Sequence, residues 1–157
     1  LLNSAIGVEI THIPYRGTAP AMQDLIAGRV DYLCDIISTA IPPIQSGLVK
    51  PLAILSLRRS TALPDLATAN EQGLKNFDVD AWNAFFFPKG TPQPIVRKMN
   101  KALGDMMARP DLREKLEALG LSIVPAEQRS PEYLAKFLPE EIERWGKVIR
   151  ASAVSMD

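Results

Sequence analysis

Residues 10–28 read ITHIPYRGTAPAMQDLIAG, and their parsing as strand, turn and helix decides the fold. Val8, Ile10 and Ile13 give the apolar, β-branched content of a strand. Pro14 cannot donate to a ladder and ends it. Gly17 can take a positive φ at a turn, and Thr18 is the residue type that caps a helix N-terminus. Pro20 fits the first helical turn, where its missing N–H costs nothing. Met22, Leu25 and Ile26 share one helix face, and Gly28 stops the helix. The N–H groups of Gly17, Thr18 and Ala19 would then leave the end of a strand together, as an anion-binding turn. A plain helix cap that meets only water is the alternative.

Working outward, residues 30–35 (VDYLCD) form a second strand, apolar enough for burial on both faces. Thr39 caps a short helix whose first turn holds Pro42 and Pro43, with Gly47 at its end. Residues 51–57 (PLAILSL) are a third strand. Thr68 and Glu71 spell a capping box for a helix of one or two turns closed by Gly73. Residues 77–88 read as one long strand or two joined ones. Thr91 and Pro92 open a helix with Ile95, Val96, Met99, Leu103, Met106 and Met107 at helical spacing. A helix from Pro110 turns Leu112, Leu116 and Leu119 inward and ends at Gly120, before a short strand at 121–124. Ser130 and Pro131 cap the last helix, with Leu134, Leu138, Ile142, Trp145 and Ile149 on one face. Pro139 should kink or break it. Alternating strands and helices predict a mostly parallel α/β sheet flanked by helices. In such sheets ligands lie beyond the carboxyl ends of strands, which would bring Gly17–Ala19 and Asp35–Thr39 to one edge.

Composition excludes several function classes. Eighteen basic residues balance eighteen acidic ones, with no basic stripe for nucleic acid. One cysteine and one histidine rule out an intrachain disulfide and Cys- or His-cluster metal sites. No apolar run spans a bilayer as a helix, and neither a phosphate loop nor a nucleophile elbow is present. No cofactor is expected.

The stretch PYRGTAPAMQDLIAGRVDYLCDIISTAIPPIQSG resembles the periplasmic solute receptors of tripartite tricarboxylate transporters, the Bug-type receptors. The resemblance rests on Pro14–Ala21, Gly28–Asp31 and the set Asp35, Thr39, Ala40, Pro42. It continues through LRRSTALPDLATANEQGLKNFDV, FFFPKGTPQPIVRKMNKAL and EEIERWGKVIRA, nearly end to end. It implies a type II periplasmic-binding-protein architecture of two lobes, here truncated. Residues 1–80 would be the second, ligand-binding lobe. Residues 81–157 would be crossing strands and C-terminal helices completing a first lobe whose N-terminal half is absent. It further implies a periplasmic location with a signal peptide upstream of residue 1, and capture of a small carboxylate, whether dicarboxylate, amino acid or aromatic acid. The acid would be handed to membrane permease subunits, with lobe closure and no chemistry. Lacking one wall, the fragment should bind acids weakly and is open to dimerisation.

With that resemblance added, Gly17, Thr18 and Ala19 are expected at the ligand carboxylate, and Thr39, with its neighbour Ser38, across the same crevice. Asp35 either accepts from a ligand hydroxyl or amine, or bonds the adjacent turn. Trp82 either faces the cleft beside Asn83 or packs as core. Arg16 is expected to be solvated, and Tyr15 to plug the core with its hydroxyl outward. Two other functions compete: a ligand-sensing domain of a regulatory system, and an α/β enzyme with Cys34 as nucleophile near His12 and Asp35. An apolar strand is a poor setting for a reactive thiol.

Overall fold

Six α-helices and one 3-10 turn form within residues 1–152, the part of the chain that this computed structural model describes. They fall into two units. One comprises Leu2–Asn83 with Glu114–Ser122; the other comprises Ala84–Arg113 and the described residues from Ile123 onward.

In the first unit, α1 (Leu2–Ile6) is a single short turn. The helix α2 (Thr18–Ile26) starts after Gly17, whose φ of 95° and ψ of 172° are closed to residues with a Cβ. It ends with Gly28 N–H on the Leu25 carbonyl and Arg29 N–H on the Asp24 carbonyl, at 3.0 and 2.8 Å. The helix α3 (Ile37–Gln45) starts two residues before Thr39, with Ile36 at the N-cap. Pro42 and Pro43 are therefore interior residues of α3, not first-turn residues as expected. They deprive the Ser38 and Thr39 carbonyls of helical donors. Ala21, Ile41, Thr68, Ala69 and Phe77 are the buried residues of this unit.

The Thr68–Glu71 box forms in both directions. Thr68 N–H donates to the Glu71 carboxylate at 2.7 Å, and Glu71 N–H donates to Thr68 Oγ1 at 3.1 Å. It closes a turn and not the short helix expected, and the carboxylate also accepts from Arg59, whose Nε donates to both its oxygens at 3.0 Å. Arg59 first, then the Thr68 N–H, lower the Glu71 pKa from 4.5 to about 2. A depressed carboxylate stabilises the fold above its unfolded pKa and loses that contribution as pH falls through its folded pKa. Glu71→Gln should therefore be less stable than wild type at pH 7, with the difference fading between pH 4.5 and about 2. Urea unfolding across that window measures it. A difference unchanged by acid would contradict the linkage.

α5 (Pro110–Ala118) ends at Gly120, with Leu121 N–H on the Leu116 carbonyl at 2.9 Å. At φ +74° a Cβ on Gly120 would lie 2.9 Å from Ile37 Cγ2, so α3 packs against bare backbone here. Gly120→Ala should cost about 2 kcal/mol through strain and overpacking. Gly104→Ala, with helical φ and nothing within 4 Å, should gain up to about 1 kcal/mol. Denaturant titration of the pair separates the two effects.

In the second unit, α4 (Gln93–Met107) and α6 (Pro131–Ser152) pack together with the 3-10 turn Ala126–Gln128. Asn100 Nδ2 donates to the Arg129 carbonyl at 2.6 Å, and Arg97 reaches Glu132 at 3.2 Å. Ser130 Oγ accepts from Tyr133 N–H at 3.0 Å, the cap expected of it. α6 runs unbroken past Pro139 for 22 residues. Its expected apolar face is only partly used: Ile142 is 64% and Ile149 48% exposed, while Glu141 is buried. Glu141 tolerates this because Trp145 Nε1 and Arg144 Nη1 donate to its two oxygens at 3.1 and 3.2 Å.

The expected sheet does not assemble among the described residues. One parallel bridge joins Ile54 to Thr68, and Val79 N–H donates to the Leu55 carbonyl at 2.9 Å. Residues 8–13, 30–35, 77–88 and 121–124 form no ladder. A parallel strand is completed only by neighbours alongside it, which local sequence cannot supply.

Candidate functional site

The turn from Pro14 to Thr18 places α2's first residues beside the segment that leads into α3. Thr18 is the first helical residue rather than the N-cap, and Gly17 holds the cap position without a side-chain bond. The Thr18 hydroxyl is released to reach sideways and donates to Asp35 Oδ1 at 3.2 Å. Thr39, third in α3 rather than its cap, donates to Asp35 Oδ2 at 2.8 Å and lies 2.9 Å from the Ile36 carbonyl. Ile36 N–H donates to Asp35 Oδ1 at 2.8 Å. Asp35 thus pins the N-terminal ends of α2 and α3 to each other.

The N–H groups of Gly17, Thr18 and Ala19 donate to no protein acceptor among the described residues. Pro20, next in line, has no N–H. Three donors therefore stand at the positive end of α2. Gly17 and Ala19 are exposed and Thr18 half-buried.

A second cluster fixes the base of the turn. Tyr15 Oη donates to Asp24 Oδ2 at 2.8 Å, and Arg29 Nη1 donates to Asp24 Oδ1 at 2.7 Å. The Arg29 guanidinium, and then the Tyr15 hydroxyl, hold the Asp24 carboxyl below its usual range. The bond to Asp24 pushes the Tyr15 phenol up. Tyr15 is thus a half-buried anchor bonded back to α2. Asp24 and Arg29 were not singled out in the sequence, where a partner nine residues away through a turn leaves no periodic signal.

Of the remaining residues, Ser38 is half-buried beside the cluster, Arg16 is exposed and Trp82 is 38% exposed in the irregular segment after Val79. Cys34 is exposed, yet its surroundings desolvate the sulfur and push its pKa up. That is the reverse of the shift a nucleophilic thiolate needs. Among the described residues no three His, Cys, Asp or Glu cluster as a metal site. No described helix is long and apolar enough to cross a membrane.

Residues 1–154 match the family model described as tripartite tricarboxylate transporter family receptor. The UPF0065 protein in the TAR-I ttuE-ttuC' intergenic region of Agrobacterium vitis is 39% identical over 149 residues, covering 95% of this chain and 43% of its own length. Several solved structures are similar, among them the following three. MatC (Rpa3494) from Rhodopseudomonas palustris with bound malate has 43% identity and TM-score 0.84, over 94% of this chain and 50% of that one. The periplasmic binding protein BugD has 38% identity and TM-score 0.85, over 98% and 51%. R. palustris Rpa4515 with adipate has 30% identity and TM-score 0.88, over 98% and 50%. The chain thus spans about half the length of these proteins.

Proposed function

This chain belongs to the tripartite tricarboxylate transporter receptor family, and from that premise we propose that it carries the carboxylate-gripping wall of a periplasmic solute receptor. The observation behind this is the Thr18–Asp35–Thr39 cluster beside three N–H groups without a protein acceptor. A carboxylate oxygen at the N-terminus of α2 would satisfy the donors of Gly17, Thr18 and Ala19. Ser38 and Thr39 would face the same ligand from α3. Trp82, in the proposed crossing segment at the start of 81–157, would cover its apolar part. The solved relatives hold malate and adipate, in keeping with a small dicarboxylate as ligand. In the intact receptor the strand segments would pair into the parallel sheet of a two-lobe fold. Closure of the lobes would present the acid to permease subunits, with no covalent step.

The hydroxyl protons narrow the grip further. Thr18 and Thr39 each have one proton, and both are directed at acceptors within the protein. Toward a ligand, these oxygens and Asp35 offer lone pairs. Amides would hold the carboxylate, while Asp35 and the threonines would accept from a hydroxyl or ammonium on the ligand.

Amide NMR of the labelled chain, titrated with malate and adipate at millimolar concentration, tests the reading. Shifts should concentrate at Gly17, Thr18, Ala19 and residues 35–39. Shifts confined elsewhere, or none with either acid, would overturn it.

A further inference from the structure

The donor turn is a bend at Arg16 and Gly17 with no packing beneath it. Both residues are exposed, and a Cβ on Gly17 would meet nothing within 4 Å. Gly17 nevertheless holds φ 95° and ψ 172°, one of several basins open to a glycine. No side chain caps the helix there. The bend must therefore be fixed from its two ends. On the far side the Thr18 hydroxyl donates to Asp35 at 3.2 Å. On the near side the half-buried Tyr15 donates through its phenol to Asp24 Oδ2 at 2.8 Å. Asp24 lies further along α2, so this bond folds the incoming chain back along the helix it is about to enter. Asp24 is itself held. Arg29 Nη1 donates to its other carboxylate oxygen at 2.7 Å, and Arg29 N–H donates to its carbonyl at 2.8 Å. Pro14, with its fixed φ, stiffens the chain just before Tyr15. Between the two tethers only Arg16 and Gly17 are left to rotate.

We infer that Tyr15 is a positioning residue. Its bond to Asp24 clamps the Arg16–Gly17 bend from one side as the Thr18–Asp35 bond does from the other, and so aims the N–H groups of Gly17 and Thr18. Its effect on acid binding rests on the carboxylate grip proposed above; its hold on Gly17 does not.

Tyr15→Phe keeps the ring and removes the donor, and Asp24→Ala removes the acceptor. NMR of each full chain reads the couplings from the Gly17 amide proton to its two Hα protons, which are unequal at φ 95° and equal in a freely rotating glycine. Both variants should bring the couplings together while circular dichroism stays unchanged. With the bend in its wild-type form about one-fifth of the time, malate and adipate affinities should fall about fivefold. The double variant should fall no further, because both changes cut the same bond. Gly17 couplings that stay unequal in Tyr15→Phe, or losses that add in the double variant, would overturn the clamp. Converged couplings in the variants of a chain that, as wild type, binds neither acid would uphold the clamp and refute the carboxylate grip alone.

Discussion

Gly17→Ala should weaken carboxylate binding about tenfold or more while the helical content of the chain stays intact. A methyl group on Gly17 would meet nothing within 4 Å, so crowding has no part in this. The effect comes from backbone conformation alone. With φ 95° and ψ 172°, the residue sits where a Cβ collides with its own carbonyls, at a cost of about 1–3 kcal/mol. The chain escapes that cost by rotating the peptide before Thr18. The rotation turns the Thr18 N–H out of line with those of Gly17 and Ala19. Pro20 has no N–H to replace it. Helix α2 itself survives, because its C-terminal bonds at Gly28 and Arg29 and the Tyr15–Asp24–Arg29 anchor lie outside the rotated peptide. Titration calorimetry or the NMR titration above, paired with circular dichroism, reads both halves of the expectation. Unchanged acid binding in a folded Gly17→Ala chain would remove the amides from the site.

The turn was legible before any coordinates because its chemistry is local. Gly17, Gly28 and Gly120 announce places where the chain must turn left-handed, and all three do so. The Thr68–Glu71 box and the Ser130 cap likewise need residues within one turn of each other. What the residues left unsaid is how far each helix reaches. α3 starts after Ile36, a residue with no capping side chain, and carries two prolines in its interior. Thr18 and Thr39 have the composition of caps, yet a carboxylate 17 residues from one and four from the other takes their protons. For Thr18 that competition depends on tertiary proximity, which no local propensity encodes. The same holds for Glu141. Helical spacing placed Ile142 inward, but hydrogen bonds from Trp145 and Arg144 let a carboxylate take the inner position. Strands are the extreme case: residues 8–13 and 30–35 have the composition of strands, yet no ladder forms there among the described residues.

Asp35→Asn should separate two kinds of acid in opposite directions. The carboxylate of Asp35 accepts from Thr18, Thr39 and Ile36 N–H. Asparagine keeps one acceptor oxygen and adds two donors, so the tie between α2 and α3 is loosened but not lost. For a plain diacid, removal of a negative charge beside the α2 N-terminus relieves repulsion, and binding should tighten about threefold at low salt. For a hydroxy-diacid, the ligand hydroxyl loses a charged acceptor and meets an amide donor in its place. A hydrogen bond to a charged group contributes about 1.5–3 kcal/mol, so binding should weaken about tenfold or more. The ratio of the two affinities cancels any general loosening of the fold, which acts on both ligands alike. Asp35→Ala gives the baseline: three hydrogen bonds vanish, α2 and α3 lose their clasp, and both acids should weaken together. If Asp35→Asn also weakens both equally, Asp35 is a peg between helices and no part of ligand recognition. If the two acids diverge, the lone pairs at Asp35 read the ligand, and the threonines that spend their protons on it are what keep those lone pairs in place.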